Sequence, residues 1–303
     1  MTIHQLHVFV TVAELRSIRR AADELVVTQP AVSASLAALE RSIGVELVSR
    51  VGRGIELTEA GRVMDRYARL LLAMVDEAIA ATQFADDPIS APVRVGATTA
   101  SADHMLMPLL ARIRAHRPSL EFTLDVGNRA RVWQLLADRG IDLAISTQPP
   151  LSAAFESMAT RPNEFVLVAK PGTVWPGKLG DATWLVREEG SSSRAATQEV
   201  MALLALSPPT LAIGSNAAIL RSAEAGLGVA LLPSEAVREA VKARALSMIR
   251  VPATPLRKPW HVVARAGESL TAAARQFIVD LVNVGGEFEF TPAGAAIATG
   301  AAR

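Results

Sequence analysis

The 303-residue sequence contains no cysteine, which excludes disulfides, thiol nucleophiles and cysteine-bound zinc. It has no uninterrupted apolar run long enough to cross a bilayer, and charges are scattered through the first thirty residues. Neither a membrane span nor a signal peptide is expected, and the protein is placed in the cytoplasm. A basic surplus is also missing: the net charge is +1, and residues 1–61 hold six arginines against seven acidic side chains. Any nucleic-acid surface must therefore be built from locally placed cations such as Arg16, Arg19, Arg20, Arg50 and Arg53. The five histidines form no metal-ligand pair with a nearby carboxylate, and no Gly-x-Ser-x-Gly elbow surrounds Ser191, Ser192 and Ser193. Phosphate loops and dinucleotide glycine patterns are absent as well. No catalytic residue, metal or cofactor is expected.

Half of the residues are hydrophobic, which over this length suffices for two or three domains with cores of their own. The N-terminal pattern is helical. Ile18, Ala21, Ala22 and Leu25 fall at i, i+3, i+4 and i+7, and Val32, Leu36, Leu39 and Ile43 repeat the stripe. Only Val26 to Thr28 separate these two helices, so they must cross steeply, as in a helix-turn-helix. Leu6, Phe9, Val10 and Ala13 supply a covering helix upstream. Periodicity alone fits any small three-helix domain. The outer face of the later helix points to DNA: it carries Pro30, Ala34, Ala37, Ala38 and Arg41, with Gln29 and Ser33 at its entrance. Small residues let a backbone approach base edges, and short polar groups read them. Thr28 is a suitable N-cap and Pro30 suits a first turn.

These residues also carry a resemblance. Ala21-Ala22, Gln29-Pro30-Ala31-Val32-Ser33, Leu39-Glu40, Gly44, Leu47, Arg50 and Leu57-Thr58-Glu59-Ala60-Gly61 resemble the N-terminal domain of the LysR-type transcriptional regulators. The match is ordered over about sixty residues. It implies a winged helix-turn-helix over residues 1–57 that binds double-stranded DNA through Arg20, Thr28, Gln29, Pro30, Ser33, Ala34, Arg50 and Arg53. The wing would run through Leu47-Val48-Ser49-Arg50, a Gly52-Arg53-Gly54 turn and Ile55-Glu56-Leu57, since glycines accept the dihedral angles of tight turns. Two positions depart from the family pattern. Val48 stands where Phe is usual, and Ala34 stands where many members carry a longer polar or basic residue.

Residues 58–87 read as one long helix, opened by Thr58 and closed before Asp86-Asp87-Pro88. Val63, Tyr67, Leu70 and Met74 approximate a 4,3,4 seam that a lone helix cannot bury. The alternatives are a helix packed on its own domain and a dimer helix. The resemblance favours the homodimer and implies a tetramer of two dimers, whereas the seam itself supports pairing only. Residues 88–92 make a stiff hinge.

From Val93 short strands alternate with helices, the mark of an α/β sheet. One unit spans 93–168 and takes back 264–285, and a second covers 169–263. Glu164–Ala169 and Trp260–Ala264 are expected to pass between them. The Ala/Gly-rich stretch 286–303 has no periodic core face and is expected to be disordered. Gly96, Asp142-Leu143-Ala144-Ile145, Ser215-Asn216 and Ala225-Gly226-Leu227-Gly228-Val229-Ala230-Leu231-Leu232-Pro233 resemble the LysR-type effector domain, which is similar to periplasmic binding proteins. That resemblance implies two α/β lobes with a small-molecule cleft between them. In open α/β sheets ligands sit beyond the carboxyl ends of strands. The loops at those ends carry Thr98, Thr99, Ser101, Asn128, Ser146, Thr147, Ser191, Ser193, Arg194 and Asn216, a set that suits an anionic effector. Each has an ordinary alternative. Thr98, Ser101, Ser146 and Asn216 could simply cap helices, and Arg194 could pair with Glu188 or Glu189. A solute-binding protein would account for residues 93–285 but not for the N-terminal helices, and an enzyme would need catalytic motifs that this chain lacks.

Overall fold

The computed structural model describes residues 1–51, 54–147, 149–150, 152–173 and 179–298. The chain forms two compact units, one chiefly Met1–Ala85 and the other most of the chain from Asp86.

In the first unit α1 (Ile3–Leu15), α2 (Ile18–Glu24) and α3 (Gln29–Ile43) precede a hairpin, β1 (Val48–Val51) and β2 (Gly54–Leu57), and the long α4 (Glu59–Gln83). Each helix start is fixed by a hydroxyl that accepts a first-turn amide: Thr2 from Gln5, Ser17 from Arg20, Thr28 from Ala31 and Thr58 from Gly61. The α1 stripe that reaches the core is Leu6, Val8, Phe9 and Val12, against Ala21, Ala22, Val32, Leu36 and Leu39. Val10 and Ala13 stay half-buried at its margin. The hairpin pairs Val48 with Leu57 through Val51 with Gly54, and its Leu47 and Ile55 enter the same core. On α4, Met64, Ala68 and Leu72 face that core. Gly61 lies directly beneath the Leu47 carbonyl, where any Cβ would overlap the oxygen.

The second unit holds two sheets. Down the chain come β3 (Val93–Thr98), α5 (Thr99–Ser101), α6 (Met107–His116), β4 (Phe122–Gly127), α7 (Arg129–Ala137), β5 (Leu143–Thr147), β6 (Phe155–Arg161) and β7 (Glu164–Ala169). Then follow β8 (Trp184–Val186), α8 (Ser192–Leu203), β9 (Thr210–Ala212), α9 (Asn216–Ala225), β10 (Val229–Pro233), α10 (Ser234–Lys242), β11 (Ser247–Ile249), β12 (Leu256–Arg257), β13 (Trp260–Arg265), α11 (Ala272–Asn283), β14 (Glu289–Phe290) and α12 (Pro292–Ala298). The first lobe orders its strands β14-β6-β13-β5-β3-β4, and the second β11-β7-β10-β8-β9 with β12 also on β7. Both sheets are buried on two faces, as parallel-type sheets require. In β7, Phe165, Leu167 and Ala169 pack on one side of the second sheet and Val166 and Val168 on the other. Asp142 is structural: its carboxylate accepts the Arg94 backbone N–H at 2.9 Å and pairs with the Arg94 guanidinium at 2.6 Å.

Three expectations are corrected. Glu164–Ala169 belongs to the second sheet and Trp260–Arg265 to the first, so the lobes exchange chain at residues 162–163 and 258–259, not at 168/169 and 263/264. The strand Phe155–Arg161, for which no expectation was formed, supplies the pairing that draws β13 into the first lobe. The stretch from 286 is ordered as far as 298. Phe288 is buried in the first lobe, β14 pairs with β6, and α12 follows. Small residues are the reason. A Cβ at Gly294 would overlap the Met158 carbonyl, so the helix packs backbone to backbone with no apolar stripe to show for it. Residues 299–303 lie outside the described residues.

Candidate functional site

On the first unit the N-terminal end of α3 presents an exposed polar face. Thr28, Gln29, Pro30, Ser33 and Ala34 are all exposed, and so are Arg20 on α2 and Arg50 on the wing. Ala37 and Ala38 are half-buried further along α3, and Arg41 is exposed. The α3 side chains that hold the core, Val32, Leu36 and Leu39, lie on the opposite side. The helix thus shows a groove-sized strip of small and short polar residues, with cations at its flanks. Arg53 lies outside the described residues. Glu40, which carries part of the resemblance but was given no role from the sequence, accepts the Leu47 N–H at 2.8 Å and the Val48 N–H at 3.3 Å, and so anchors the wing to α3.

The seam on α4 is open in the single chain. Val63, Tyr67 and Met74 are exposed and Leu70 is half-buried, whereas Gly61, Ala68 and Ala73 on the inner face are buried.

Within the second unit a narrow cleft is lined by Thr98, Thr99 and Ala100, by Gly127, Asn128 and Arg129, and by Arg187 with Ser191, Ser192 and Ser193. The first two loops leave the C-terminal ends of β3 and β4, and the third joins β8 to α8, so both lobes contribute. Gly190 of the second lobe approaches Asn128 and Ala130 of the first, and an added Cβ there would sit 3.4 Å from Ala130 Cβ.

The hydroxyls divide into two kinds. Ser101 is committed to structure, since its one hydroxyl proton lies between the carbonyls of Thr98 and Ile145 at 2.8 and 3.0 Å and its Oγ is 3.0 Å from Thr98 Oγ1. Ser146 Oγ likewise donates to the Thr147 carbonyl at 2.9 Å, and Thr147 is buried beside it. Thr99 Oγ1 reaches the Gly127 carbonyl at 3.3 Å, and Asn128 Oδ1 accepts the Arg131 N–H at 2.9 Å. By contrast Ser192 Oγ and Ser193 Oγ are buried without a hydrogen-bond partner among the described residues, and Ser191 precedes α8 with no bond from its side chain to the helix. Asn216, also buried, has neither amide atom bonded, and its neighbour Ser215 is the residue that caps α9. Helix capping by Thr98, Ser101, Ser146 and Asn216 is therefore not what these side chains do.

The cations that line the cleft are Arg129 of the first lobe and Arg187 of the second, not Arg194. Arg187 is only 4% exposed and forms a two-pronged pair with Glu188 at 2.7 and 2.8 Å. Arg194 donates to the Arg187 carbonyl at 2.8 Å and lines no part of the cleft. Burial pushes the Glu188 carboxyl up, but the Arg187 bonds and the Arg194 charge outweigh it and hold the group below its ordinary value. Arg187 and Ser192 were not singled out from the sequence. The available signal was position, since Arg187 directly follows the buried strand Trp184–Val186. Deeper in the first lobe Ser157 Oγ lies 2.9 Å from His261 Nδ1, and burial lowers the imidazole below its ordinary value. Among the described residues no group of three or more side chains could hold a metal ion, and no helix is long and apolar enough to cross a membrane.

The model of the bacterial regulatory helix-turn-helix proteins of the lysR family matches residues 3–62, and that of the LysR substrate binding domain matches residues 86–284. The HTH-type transcriptional regulator CfxR of Cupriavidus necator is 32% identical over 298 residues, which cover 95% of this chain and 93% of that protein. Full-length CbnR complexed with its target DNA has the same fold at a TM-score of 0.66 and 20% identity, over 94% of this chain and all of that one. The Synechocystis CcmR regulatory domain in complex with 2-PG aligns at a TM-score of 0.59 and 23% identity, over 64% of this chain and 96% of that one. The first match falls on the exposed α3 strip and its wing and the second on the two-lobed cleft, and with a relative akin along nearly the whole length they make this chain a LysR-type transcriptional regulator, a DNA-binding protein modulated by a small molecule.

Proposed function

We propose that this regulator acts in the cytoplasm as a homodimer that reads DNA through Gln29 and Ser33, is steadied on the duplex by Arg20, Arg50 and Arg53, and responds to a small anion held in the cleft. The observation that carries the anion is the pair of unpartnered buried hydroxyls, Ser192 and Ser193, beside the buried guanidinium of Arg187. A buried hydroxyl without a partner costs about 1–3 kcal/mol, and an oxyanion supplies the missing acceptor. The first amides of α8 point the same way and favour negative charge. Thr99 and Asn128 face this group from the other lobe. A ligand touching both lobes binds their closed arrangement better than an open one, and only that difference can alter DNA binding. Among the described residues the cleft offers donors and two cations, Arg129 and Arg187, but no nucleophile with an adjacent base, an arrangement that suits binding.

A calorimetric screen of small carboxylates and phosphates against the full chain tests the cleft. At least one should bind, and the same compound should shift the protein's retardation of DNA from upstream of its own gene. Binding by neutral or apolar compounds alone would remove the anion from this reading. The DNA face is tested separately with the wild type and Gln29→Ala: loss of the side chain should weaken specific DNA binding and leave non-specific binding in place.

A further inference from the structure

The family domain ends at residue 284, yet the chain continues in ordered form to residue 298 on the first lobe. This extension is attached at several points. Phe288 fills the lobe's core, Glu289 and Phe290 pair with Thr160 and Ala159 of β6, Thr291 Oγ1 donates to the Ser157 carbonyl, and Gly294 rests on Met158. Those contacts fix Glu287. Its carboxylate accepts from Arg112 at 2.6 Å and from Arg161 Nε at 2.7 Å, both first-lobe residues. Arg161 also reaches Glu235 through Nη1 at 3.1 Å and through Nη2 at 2.5 Å, Nη2 lying 2.5 Å from Glu287 as well, and Glu235 stands in the first turn of α10 in the second lobe.

Arg161 is therefore shared between a carboxylate of the extension and one of the opposite lobe. It is the last residue of β6, and the chain crosses between lobes at the next two positions. The second crossover is tied to the first by Asn163 Nδ2, which donates to the Lys258 carbonyl at 2.8 Å, and by the Lys258 N–H to the Asn163 carbonyl at 2.9 Å. The two crossovers thus form one hinge with the Arg161–Glu235 pair beside it. Arg161 is largely buried, with its side chain 11% exposed. Burial disfavours its charge, but the two carboxylates outweigh that and hold the guanidinium above its ordinary value.

We propose that the extension is an inter-lobe clasp: Glu287 orients Arg161 so that it grips Glu235 beside the hinge and biases the lobes toward the arrangement that encloses the cleft. A long side chain bonded on one edge to its own lobe loses little further freedom when its other edge meets Glu235. Released from Glu287, Arg161 has that freedom to lose, and the grip weakens. The consequence for effector response rests on the cleft reading above, but the clasp itself does not, because it acts on lobe geometry with no ligand present.

The absence of cysteine allows a direct test. Ala115→Cys on α6 and Ala202→Cys on α8, both exposed, place one spin label on each lobe of the full chain, diluted with unlabelled protein to suppress distances between protomers. Pulsed dipolar spectroscopy of this background should give one dominant distance. Adding Glu287→Gln should bring in a second population, Glu235→Gln should do the same, and the double variant should resemble either single one, since both break one clasp. If Glu287→Gln leaves the distances unchanged while Glu235→Gln alters them, the extension has no hold on the hinge and the proposal falls. It falls equally if neither changes them, or if Glu287→Gln lowers the melting temperature with the distances intact.

Discussion

Glu40 Oε1 accepts the backbone N–H of Leu47 at 2.8 Å, so the helix that carries Gln29 and Ser33 also holds the root of the wing. Glu40→Ala removes this bond and a weaker one from Val48 and leaves two amides without their acceptor. Charge-assisted bonds of this kind are worth about 1.5–3 kcal/mol. The variant should melt at a lower temperature and lose wing contacts in a DNA footprint while the α3 contacts remain. An unchanged melting curve would show the bond to be incidental.

Leu70 sits in the outer seam of α4, with Tyr67 and Met74 exposed on either side of it. Leu70→Glu should leave the N-terminal unit folded, because the core-facing residues of that helix are Met64, Ala68 and Leu72. In a dimer seam the new carboxylate would be buried without a partner, which costs several kcal/mol. Light scattering should show monomers, and binding to a two-half-site operator should be lost. An intact dimer would move the interface elsewhere.

Arg187 and Arg194 should part company in the cleft. Arg187→Ala removes the cation that faces Ser192 and Ser193 and should weaken binding of a carboxylate or phosphate at least about tenfold, or ~1.4 kcal/mol. Arg194→Ala deletes a bond to the Arg187 carbonyl and should have the smaller effect. Titration calorimetry of both variants ranks them, and equal losses would mean that Arg194 steers the anion despite its position.

Acid should destabilise the effector unit in two stages. Burial holds the imidazoles of His104 and His261 below their ordinary value. They are neutral in the fold, so stability is full above about pH 6.5 and declines as pH falls from there toward their lowered values. Glu188 and Glu287 are held below the ordinary carboxylate value by Arg187 and by Arg112 with Arg161, each against an opposing effect of burial. Their contribution is present above the ordinary value and is lost as pH falls through the lowered one. Melting temperatures between pH 8 and 3 should show both stages. His261→Gln should flatten the first, and Glu287→Gln the second; a single step unaltered by either substitution would contradict this account.

The winged unit was legible because its information is local. Thr28, Pro30 and the stripe of Val32, Leu36 and Leu39 specify α3 from within fifteen residues. The loops of Thr98, Asn128 and Ser191 line the cleft as the sequence suggested, whereas Ser146, Thr147 and Asn216 do not, and the choice of Arg187 over Arg194 was not legible because it depends on how the chain turns after Val186. Arg194 is the third residue of α8 and donates from its guanidinium to a carbonyl, while Arg187 follows the strand directly and lines the cleft. The lobe assignment of Glu164–Ala169 and Trp260–Arg265 failed because both are largely buried strands whose partners are distant in sequence. The order of the extension was invisible for the opposite reason. Its packing uses backbone carbonyls and glycine, which leave no periodic signature.

The contact between Gly61 and the Leu47 carbonyl has a mechanical consequence. Thr58 adds to it, donating its N–H to Leu47 and its hydroxyl to the Glu46 carbonyl at 3.0 and 2.8 Å. The first turn of the long helix is thereby welded to the wing, with no slack for the helix to roll about its own axis. A dimer built on that helix would carry its two reading heads like the fixed jaws of a caliper. Any change in how the paired helices cross would be delivered as a new separation and angle between half-sites, each head keeping its own grip. Such a regulator would be sensitive to the spacing and bend of its operator as well as to the bases within each half-site.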